Sequence, residues 1–229
     1  MRASAIIVAA GSGTRLGSGE PKAFVKLHAH PMLHYSLATL AATPHIAEVV
    51  IAIPGGLERR TREEVARASL EVPVKITSGG IERQDSVRIA LALTSAESDV
   101  VIIHDAARPF ADATLFARCL EAASARGAAI AAIPVSDTLK RVADGVIHAT
   151  VKRAGMYQAQ TPQAFQRRLL VAAHERATRE HIIATDDADL VEQLGGTVEI
   201  VEASAINMKI TTPSDLMLAE LLLTSKKPR

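Results

Sequence analysis

The sequence contains no tryptophan and only one cysteine, and aromatic residues make up just 3% of its 229 positions. The single thiol, Cys119, cannot form an internal disulfide or supply a cysteine-based zinc site. So few aromatic rings argue against a stacking platform for single-stranded nucleic acid. The cysteine usage is therefore compatible with a reducing compartment.

The sequence also lacks a strong charge of either sign and any long apolar run. Its 26 basic and 25 acidic residues leave a net charge of +1, whereas general nucleic-acid binders show a clear basic excess. No apolar run approaches the roughly 18–20 residues of a membrane span, and the first ten residues do not resemble a secretory signal. We therefore expect a cytoplasmic protein that binds neither nucleic acid nor membranes.

Short apolar runs alternate with longer amphipathic stretches along the chain. Apolar runs bounded by turn residues are typical of strands buried on both faces of a parallel sheet. Their alternation with helical stretches predicts an α/β protein with three layers, α/β/α, around a mostly parallel, Rossmann-like sheet. The predicted strands lie at 5–9, 49–53, 74–76, 100–103 and 129–133, and the predicted helices at 31–43, 57–70, 83–94 and 112–126.

This alternation breaks after Pro134. Two short alternating segments on either side of Asp144-Gly145 predict a β-hairpin, so residues 135–160 are interpreted as an arm that projects from the sheet. With no repeat and no clear linker, residues 1–229 are expected to form a single domain. Beyond the arm we predict helices at 162–178 and 186–194, a strand at 197–201, a terminal helix at 213–223 and a mobile tail at 226–229.

A glycine-rich loop follows the first predicted strand, and two cations lie close to it. The loop runs from Gly11 to Gly17, with Arg15 inside it and Lys22 shortly after. Glycine lets backbone N–H groups approach and point at phosphate oxygens. The loop lacks the Lys-Ser/Thr of a P-loop and the third glycine of the dinucleotide fingerprint, where Leu16 stands. A polyphosphate clamp and a plain tight turn with solvated cations are equally open interpretations.

Two further segments place polar residues after predicted strands. Asp105 follows the fourth strand, and a carboxylate at that edge of a parallel sheet suits Mg²⁺ beside a polyphosphate. Taken alone it could equally cap the next turn, but together with the glycine-rich loop it favours a metal site. Arg108 could hold a second anion. Gly79, Gly80 and Ser86 could bond a flat base edge, although an ordinary helix N-terminus is the simpler interpretation of these three residues.

The sequence offers no convincing nucleophile or catalytic histidine. A Gly-x-Ser-x-Gly elbow is missing, and Cys119 lies within an apolar helical pattern. His28 and His30 are close together, but no third ligand lies near them in sequence, so we interpret them as surface imidazoles. Cations, one carboxylate and backbone N–H groups therefore remain as the chemistry of the predicted site.

Five sequence blocks in this order and spacing resemble a known family. They are the loop Ala-Ala-Gly-x-Gly-x-Arg-x-Gly with Pro-Lys after it, His104–Pro109, Pro134–Lys140, Gln160–Gln163 and Thr185–Ala188. The loop is similar to that of sugar-nucleotide pyrophosphorylase-like nucleotidyltransferases. The other four blocks resemble those of the 2-C-methyl-D-erythritol 4-phosphate cytidylyltransferase family, which acts in non-mevalonate isoprenoid biosynthesis. The resemblance covers about Ile6 to Leu222.

The resemblance implies a reaction, a metal and an assembly. CTP and 2-C-methyl-D-erythritol 4-phosphate would give 4-diphosphocytidyl-2-C-methyl-D-erythritol and pyrophosphate, with Mg²⁺ bound by Asp105. The chain would form a homodimer in which the 135–160 arms interlock and contact substrate, with Arg153 reaching the partner's site. The resemblance implies that the catalytic residues are Arg15, Lys22, Arg153 and Lys209. The residues implied to bind the nucleotide are Ala10, Gly11, Gly13, Gly79, Gly80, Ser86 and Asp105. The residues implied to bind the methylerythritol phosphate are Arg108, Thr138, Arg153 and Thr161.

Ile206 and Ala203 depart from the pattern of this family. Ile206 stands where an acidic residue is usual before Asn207-Met208-Lys209, and Ala203 replaces a usual glycine. An apolar side chain cannot accept a hydrogen bond from a substrate hydroxyl or orient Lys209, so the departure bears on substrate affinity and on the local loop.

Two other functions are open beside the one that the resemblance implies. One is a ribitol-5-phosphate cytidylyltransferase of the same build, although Ala107 and the spacing of Arg153 favour methylerythritol phosphate. The other is a non-catalytic nucleotide-binding module. The set formed by Arg15, Lys22, Asp105 and Lys209 argues against that module, because a pure binder does not need a full transfer constellation.

Overall fold

The computed structural model describes residues 1–17 and 19–225 and has a seven-stranded sheet at its centre. The strands of this described part are β1 (Ala3–Val8), β2 (Lys26–Leu27), β3 (His30–Pro31), β4 (Ile46–Ile53), β5 (Val74–Ser78), β6 (Val100–Asp105), β7 (Ala128–Pro134), β8 (Leu139–Ala143), β9 (Val146–Val151), β10 (Tyr157–Gln166) and β11 (Glu199–Glu202). The central sheet has the order β11-β7-β10-β6-β1-β4-β5. All six strands predicted from the sequence are present, as β1, β4, β5, β6, β7 and β11.

Helices cover both faces of the sheet, which confirms the predicted three-layer α/β/α architecture. The helices are α1 (Met32–Ala41), α2 (Glu58–Arg67), α3 (Arg83–Ala92), α4 (Ala113–Arg126), α5 (Arg167–Glu180), α6 (Asp187–Gln193) and α7 (Pro213–Ser225). The first, second and fourth pack on one face, and the third, fifth and sixth on the other. None of the helices in the described residues has both the length and the apolar character that a membrane crossing requires. The tail predicted at 226–229 lies outside the described residues.

Burial of both sheet faces explains the continuous apolar runs. In β1, Ile7 joins the core beneath α1 and α4, whereas Ile6 joins the core beneath α3 and α5. The neighbouring strand β6 repeats this division with Ile102 and Ile103. Successive strand residues point to opposite faces, so a strand with helices on both sides must be apolar at almost every position.

The helix predicted over 162–178 is wrong at its beginning. Residues up to Gln166 belong to β10, and α5 begins only at Arg167. The strand β10 runs antiparallel between β6 and β7, where Gln163 pairs with Ile103 on one side and Ile130 on the other. These two ladders of backbone hydrogen bonds are tertiary contacts, and they override the local helix-start signal of Pro162.

The strand order reverses beside β1, and this creates a crevice. From β1 the chain moves outward through β4 and β5, then crosses to the other side of β1 as β6. Loops that leave the carboxyl ends of strands at such a reversal diverge and leave room for a ligand. Val8 and Asp105, the last residues of β1 and β6, are paired neighbours there. The crevice therefore opens directly beside Asp105.

The strands β8 and β9 form a separate hairpin within residues 135–160, as predicted. The predicted arm is too long at its end, because β10 of the central sheet already begins at Tyr157 and pairs with β7. Its turn residues Asp144 and Gly145 have φ values of 50° and 76°, the left-handed conformation that tight hairpin turns require. The side chains of Val142, Val146 and Ile147 are 53%, 61% and 60% exposed. The arm therefore presents an apolar surface that the rest of the described residues leave exposed.

Candidate active site

The glycine-rich loop leaves β1 and folds back against Lys22. Gly13 has a φ of 74°, and a Cβ atom there would lie 3.0 Å from the Lys22 backbone nitrogen. The Lys22 N–H group donates to the Gly11 carbonyl oxygen at 3.2 Å. Short 3-10 turns at Thr14–Leu16 and Lys22–Phe24 carry the two predicted cations. The loop thereby brings Arg15 and Lys22 to the same cleft.

One cleft at the carboxyl ends of β1 and β6 collects most of the predicted site. Its walls come from the glycine-rich loop, the beginning of α3, the end of β6 and the segment before α7. Distant parts of the chain converge here, so the site depends on the whole fold. The predicted residues that line the cleft are Ala10, Gly11, Gly13, Arg15, Lys22, Gly80, Ser86, Asp105 and Lys209.

Asp105 is 6% exposed and lies between two cations. The Arg83 Nε atom donates to its Oδ1 at 3.0 Å, and the Lys209 ammonium donates to its Oδ2 at 2.6 Å. Burial alone would raise the pKa of the Asp105 carboxyl, but Arg83 and Lys209 hold it well below its usual range. Asp105 is therefore an ionised carboxylate directed at side-chain cations, not a cap of the following turn.

Lys22 lies where positive charge is in excess. Burial, and then the charge of Lys209, lower the pKa of Lys22 to about 8, and Asp105 opposes this shift only in part. A bound anion would stabilise the charged form of each neighbouring cation, because opposite charges attract strongly in a partly buried site. The cleft is thus suited to a ligand with several negative charges.

The segment around Gly79 and Gly80 packs too closely for side chains. A Cβ atom at Gly79 would lie 2.3 Å from the Ala10 Cβ and 2.8 Å from the Ser86 Oγ, and one at Gly80 would lie 2.3 Å from the Asp85 Cβ. The Gly80 N–H group donates to the buried Ser86 hydroxyl at 3.1 Å. This segment therefore closes one wall of the cleft, which the simpler interpretation as an isolated helix N-terminus does not explain.

Thr161 and Arg108, two of the predicted substrate residues, are not among the described residues that line this cleft. The Thr161 hydroxyl, 4% exposed, accepts a hydrogen bond from the Asp105 N–H group at 3.0 Å and contacts His104 Nδ1 at 3.1 Å. Arg108 donates to the Asn207 carbonyl oxygen at 2.8 Å. Both residues thus support neighbouring site segments from beneath.

Thr138 and Arg153 belong to the arm and are likewise not among the described residues that line the cleft. Both side chains are exposed, and the Arg153 guanidinium donates to the carbonyl oxygen of Ser136. This contact joins the two chain segments at the base of the arm. Within the described single chain, the arm residues and the cleft residues therefore form two separate groups.

Sequence reasoning assigned no role to Arg83, Asp187 or His174, which form a buried polar chain behind the cleft. Arg83 joins Asp105 to Asp187 with a 2.7 Å contact to the latter, and His174 Nε2 lies 3.0 Å from the other Asp187 oxygen. Burial alone would raise the pKa of Asp187, but Arg83 and His174 lower it by more, so the pKa lies below its usual value. Asp187 lies in the Thr185–Ala188 block and Arg83 lies between Gly80 and Ser86, but no local signal shows that they meet.

The chain is similar to proteins of one family over almost its whole length. The family model for 2-C-methyl-D-erythritol 4-phosphate cytidylyltransferase matches residues 3–225. A relative of that name from Deinococcus radiodurans is 46% identical over 221 residues, which cover 96% of this chain and 89% of the relative. Another from Syntrophus aciditrophicus is 41% identical over 227 residues, which cover 98% of this chain and 97% of the relative.

Solved structures give the same result for the fold. The crystal structure of 2-C-methyl-D-erythritol 4-phosphate cytidylyltransferase from Thermus thermophilus is 38% identical, with a TM-score of 0.82 over 98% of this chain and 100% of that one. The 4-diphosphocytidyl-2C-methyl-D-erythritol synthase from Anaerococcus prevotii is 29% identical, with a TM-score of 0.85 over 97% of this chain and 98% of that one. The similarity therefore extends over almost the whole fold.

Proposed function

The chain belongs to the 2-C-methyl-D-erythritol 4-phosphate cytidylyltransferase family, and we infer from this premise that its cleft is the site of cytidylyl transfer. The enzyme is a nucleotidyltransferase that joins CTP and 2-C-methyl-D-erythritol 4-phosphate to 4-diphosphocytidyl-2-C-methyl-D-erythritol and pyrophosphate. The observation that carries this function is the convergence of Arg15, Lys22, Asp105 and Lys209 on one cleft at the strand reversal.

The reaction needs positioning and charge more than proton transfer. A phosphate oxygen of the second substrate attacks the α-phosphorus of CTP, a new P–O bond forms, and the bond to the leaving pyrophosphate breaks. The attacking phosphate is already ionised at neutral pH, so no general base is required. His104 is not a suitable base, because burial lowers its pKa to about 4 and it is not among the described residues that line the cleft. Fixed cations that align the two anions supply the catalytic effect.

Arg15 and Lys22 are proposed to hold the CTP phosphates and the charge that develops in the transition state. Both residues line the cleft beside the backbone of the glycine-rich loop. Lys209 is proposed to contact the α-phosphate, for which its ammonium must leave Asp105 Oδ2. Its side chain is 39% exposed, so this movement requires no opening of the core.

Asp105 is proposed to hold Mg²⁺ together with phosphate oxygens. The donor set fits, because Mg²⁺ binds through one or two carboxylates plus substrate phosphates and Asp105 is ionised under all working conditions. In the unliganded protein Arg83 and Lys209 occupy both carboxylate oxygens, so Lys209 must leave Oδ2 before a metal can bind there. When bound, the metal neutralises charge on the phosphate oxygens.

The backbone around Gly79 and Gly80, together with Ser86, is proposed to recognise cytosine. The close packing of this segment against Ala10 leaves backbone groups rather than side chains at the wall of the cleft. Backbone N–H and C=O groups suit the flat edge of a base because their positions are fixed. The Ser86 hydroxyl is itself held by Gly80 and by the Glu82 carbonyl oxygen at 3.2 Å.

The segment around Ile206 is held without the usual acidic side chain. Asn207 Nδ2 donates to Gln160 Oε1 at 2.8 Å and to the Thr161 carbonyl oxygen at 2.9 Å. Arg108 adds its bond to the Asn207 carbonyl oxygen. These contacts hold the loop through Asn207, the neighbour of Ile206, and we propose that the departure at position 206 acts on substrate affinity.

We further propose a homodimer in which each arm meets the partner subunit. The exposed apolar side chains of Val142, Val146 and Ile147 support this, because such a surface favours burial against another chain. Thr138 and Arg153 are proposed to bind methylerythritol phosphate from the arm, with Arg153 acting in the partner's site. Their separation from the cleft within one chain agrees with a contribution across the interface.

A cytoplasmic enzyme without nucleic-acid or membrane partners completes the proposal. The balanced net charge of +1 supports the absence of nucleic-acid partners. The free, buried Cys119 is compatible with the reducing conditions of the cytoplasm.

Pyrophosphate release from CTP tests the proposed function. The assay is run with and without Mg²⁺, in parallel with methylerythritol phosphate and with ribitol 5-phosphate. We expect Mg²⁺-dependent release with methylerythritol phosphate alone. Release only with ribitol 5-phosphate would keep the mechanism and change the substrate. No pyrophosphate release with either substrate, while CTP still binds, would mean that the chain is a non-catalytic nucleotide-binding module.

A further inference from the structure

Two histidines and one glutamate meet on the face of the protein where α1 packs against α2. His30 lies in the short strand β3, His34 lies four residues later in α1, and Glu64 lies in α2. One ligand atom from each side chain lies within 4.8 Å of the others. The sequence pairs His30 with His28, but the fold supplies His34 from the adjoining helical turn and Glu64 from the next helix.

The facing atoms of His34 and Glu64 are buried and have no hydrogen-bond partner among the described residues. His34 Nδ1 and Glu64 Oε2 lie 3.5 Å apart, and both appear without a hydrogen bond while almost no solvent reaches them. The Glu64 side chain is only 3% exposed. The two atoms face each other at the outer limit of a hydrogen bond, and buried polar groups without good partners are costly, so a ligand between them would satisfy both.

The surroundings favour a neutral histidine and a fixed carboxylate. Burial, and then the neighbouring His30, lower the pKa of His34, and Glu64 opposes this only in part. A neutral imidazole offers a lone pair to a metal. The other oxygen of Glu64 pairs with Arg67, which orients the carboxylate in the way that partners of metal ligands usually do.

We propose that His30, His34 and Glu64 bind one divalent transition-metal ion of the Zn²⁺ type. Two imidazoles and one carboxylate are a common zinc ligand set that leaves a fourth position for water. The 3.5 Å between Nδ1 and Oε2 is close to the separation of two ligands about 2.0–2.1 Å from a tetrahedral ion.

His30 must turn to complete this site. Its ring now stacks on that of His34, with centroids 4.1 Å apart and planes 15° apart. Two parallel rings cannot both direct a lone pair at one ion. His30 is partly exposed, so its ring can rotate without disturbing the core.

The proposed ion is distinct from the Mg²⁺ of the catalytic cleft. The three side chains are not among the described residues that line that cleft. Imidazole ligands suit zinc, nickel, cobalt or copper, whereas Mg²⁺ prefers oxygen ligands only. The site would join β3 and α1 to α2, whose Arg60 also contacts the Phe24 carbonyl oxygen beyond the glycine-rich loop.

Titration of tag-free, chelator-treated protein with Co²⁺ tests the site, because tetrahedral Co²⁺ bound by imidazole absorbs visible light. We expect one Co²⁺ per chain, displaced by Zn²⁺ but not by excess Mg²⁺ or by saturating CTP. The variants His34→Ala and Glu64→Gln should weaken binding at least about tenfold. The variant His28→Asn is the matched control, since asparagine tolerates the left-handed φ of 59° at that position, and it should bind as the parent protein does.

Three results would overturn the proposal. The first is a parent protein that shows no visible Co²⁺ band and retains no zinc. The second is a His34→Ala variant that binds Co²⁺ as tightly as the parent protein. The third is a His28→Asn control that loses as much Co²⁺ affinity as His34→Ala. If His34→Ala fails to fold, as judged by its Tm, the partly exposed His30→Ala replaces it with the same expected loss. A parent protein that folds normally but binds no ion would mean that His34 and Glu64 only contact each other.

Discussion

The Lys22 ammonium is charged in a place where burial and Lys209 both oppose its charge. A cation held in this way interacts most strongly with the state that carries the most negative charge, which is the transition state of phosphoryl transfer. Lys22 is therefore a residue whose removal should affect turnover more than ground-state binding.

We predict that Lys22→Ala lowers kcat by on the order of 10²–10³ and raises the Kd for CTP much less. Arg15 and the backbone of the glycine-rich loop still hold the polyphosphate in that variant. Steady-state kinetics and calorimetric titration with CTP separate the two effects. Lys26→Ala, an exposed lysine of β2, is the control and should behave as the parent. Unchanged turnover in Lys22→Ala would remove Lys22 from the catalytic role.

The pKa of Lys22, about 8 in the ligand-free protein, predicts a pH dependence of CTP binding. Below this pKa the ammonium is charged and attracts phosphate; above it, binding must also take up a proton. CTP affinity should therefore fall as the pH rises from about 7 to about 9, by no more than the small loss expected in Lys22→Ala. In Lys22→Arg the guanidinium stays charged over this range, so the fall should be smaller. An identical pH profile in both proteins would assign the titration to another group.

At the residue scale, sequence reasoning finds the groups that lie beside a local signal and misses those that do not. Arg15, Lys22 and Asp105 follow strands whose carboxyl ends are visible in the sequence, and the structure brings them together. Arg83 contacts Asp187 across 104 positions of the chain. Only the placement of α3 and α6 on the same face of the sheet creates that contact, so no window of sequence contains it.

At the element scale, the arm is the part of the fold whose role depends on a second chain. The hairpin β8–β9 pairs only with itself among the described strands, and its apolar side chains are exposed. Arg153 and Thr138 lie on or beside it rather than in the cleft of the same chain. The arm can therefore be altered without loss of the core.

We predict that Arg153→Ala raises the KM for methylerythritol phosphate and leaves Tm unchanged, because the side chain is exposed. Lys152→Ala, the exposed neighbour, is the control and should have little effect. Mixed dimers of Arg153→Ala with an inactive Lys22 variant should regain activity, since one of their two sites then has both an intact cleft and an intact arm. No recovery in a verified heterodimer would contradict action across the interface.

The strand β10 shows why element prediction from sequence stops where it does. The strands beside it, β6 and β7, have continuous apolar runs because helices cover both of their faces. These runs allow both strands to be predicted from the sequence alone. The segment Gln160–Gln166 is polar and contains Pro162, which locally favours a helix start. Its partners, Val100–Ile103 and Ala128–Ile130, lie far away in sequence, so pairing with both decides its conformation.

At the scale of the whole molecule, the buried chain behind the cleft connects the catalytic edge to the helical layer. Arg83 begins α3, Asp105 ends β6, Asp187 begins α6, and His174 lies in α5. Their contacts, between 2.7 and 3.0 Å, join one strand to three helices. Arg83 is the member that compensates two buried carboxylates at once, so the stability of the protein and the charge of the site depend on the same residue.

Arg83→Met should therefore destabilise the whole protein, by about 3–5 kcal/mol at neutral pH, because it leaves Asp105 with Lys209 alone and Asp187 with His174 alone. The comparison is Arg88→Met in the same helix. Arg88 makes a 3.6 Å pair with Asp85, in which the two side chains are 47% and 40% exposed, so its loss should cost less than about 1 kcal/mol. Urea unfolding at several pH values measures both losses.

The pH dependence of the Arg83→Met deficit follows from the lowered pKa values of Asp105 and Asp187. A carboxyl with a lowered pKa in the folded state contributes stability that is complete above the unfolded pKa, near 4, and that decreases as the pH falls towards the folded pKa. Arg83→Met raises both folded pKa values, so its deficit should be largest at neutral pH and should shrink below about pH 4. If the stability lost in Arg83→Met stays constant with pH, Arg83 stabilises the protein by packing and not by its charge. If Arg83→Met and Arg88→Met lose equal free energy of unfolding, the buried polar chain does not stabilise the contact between the sheet and the helices.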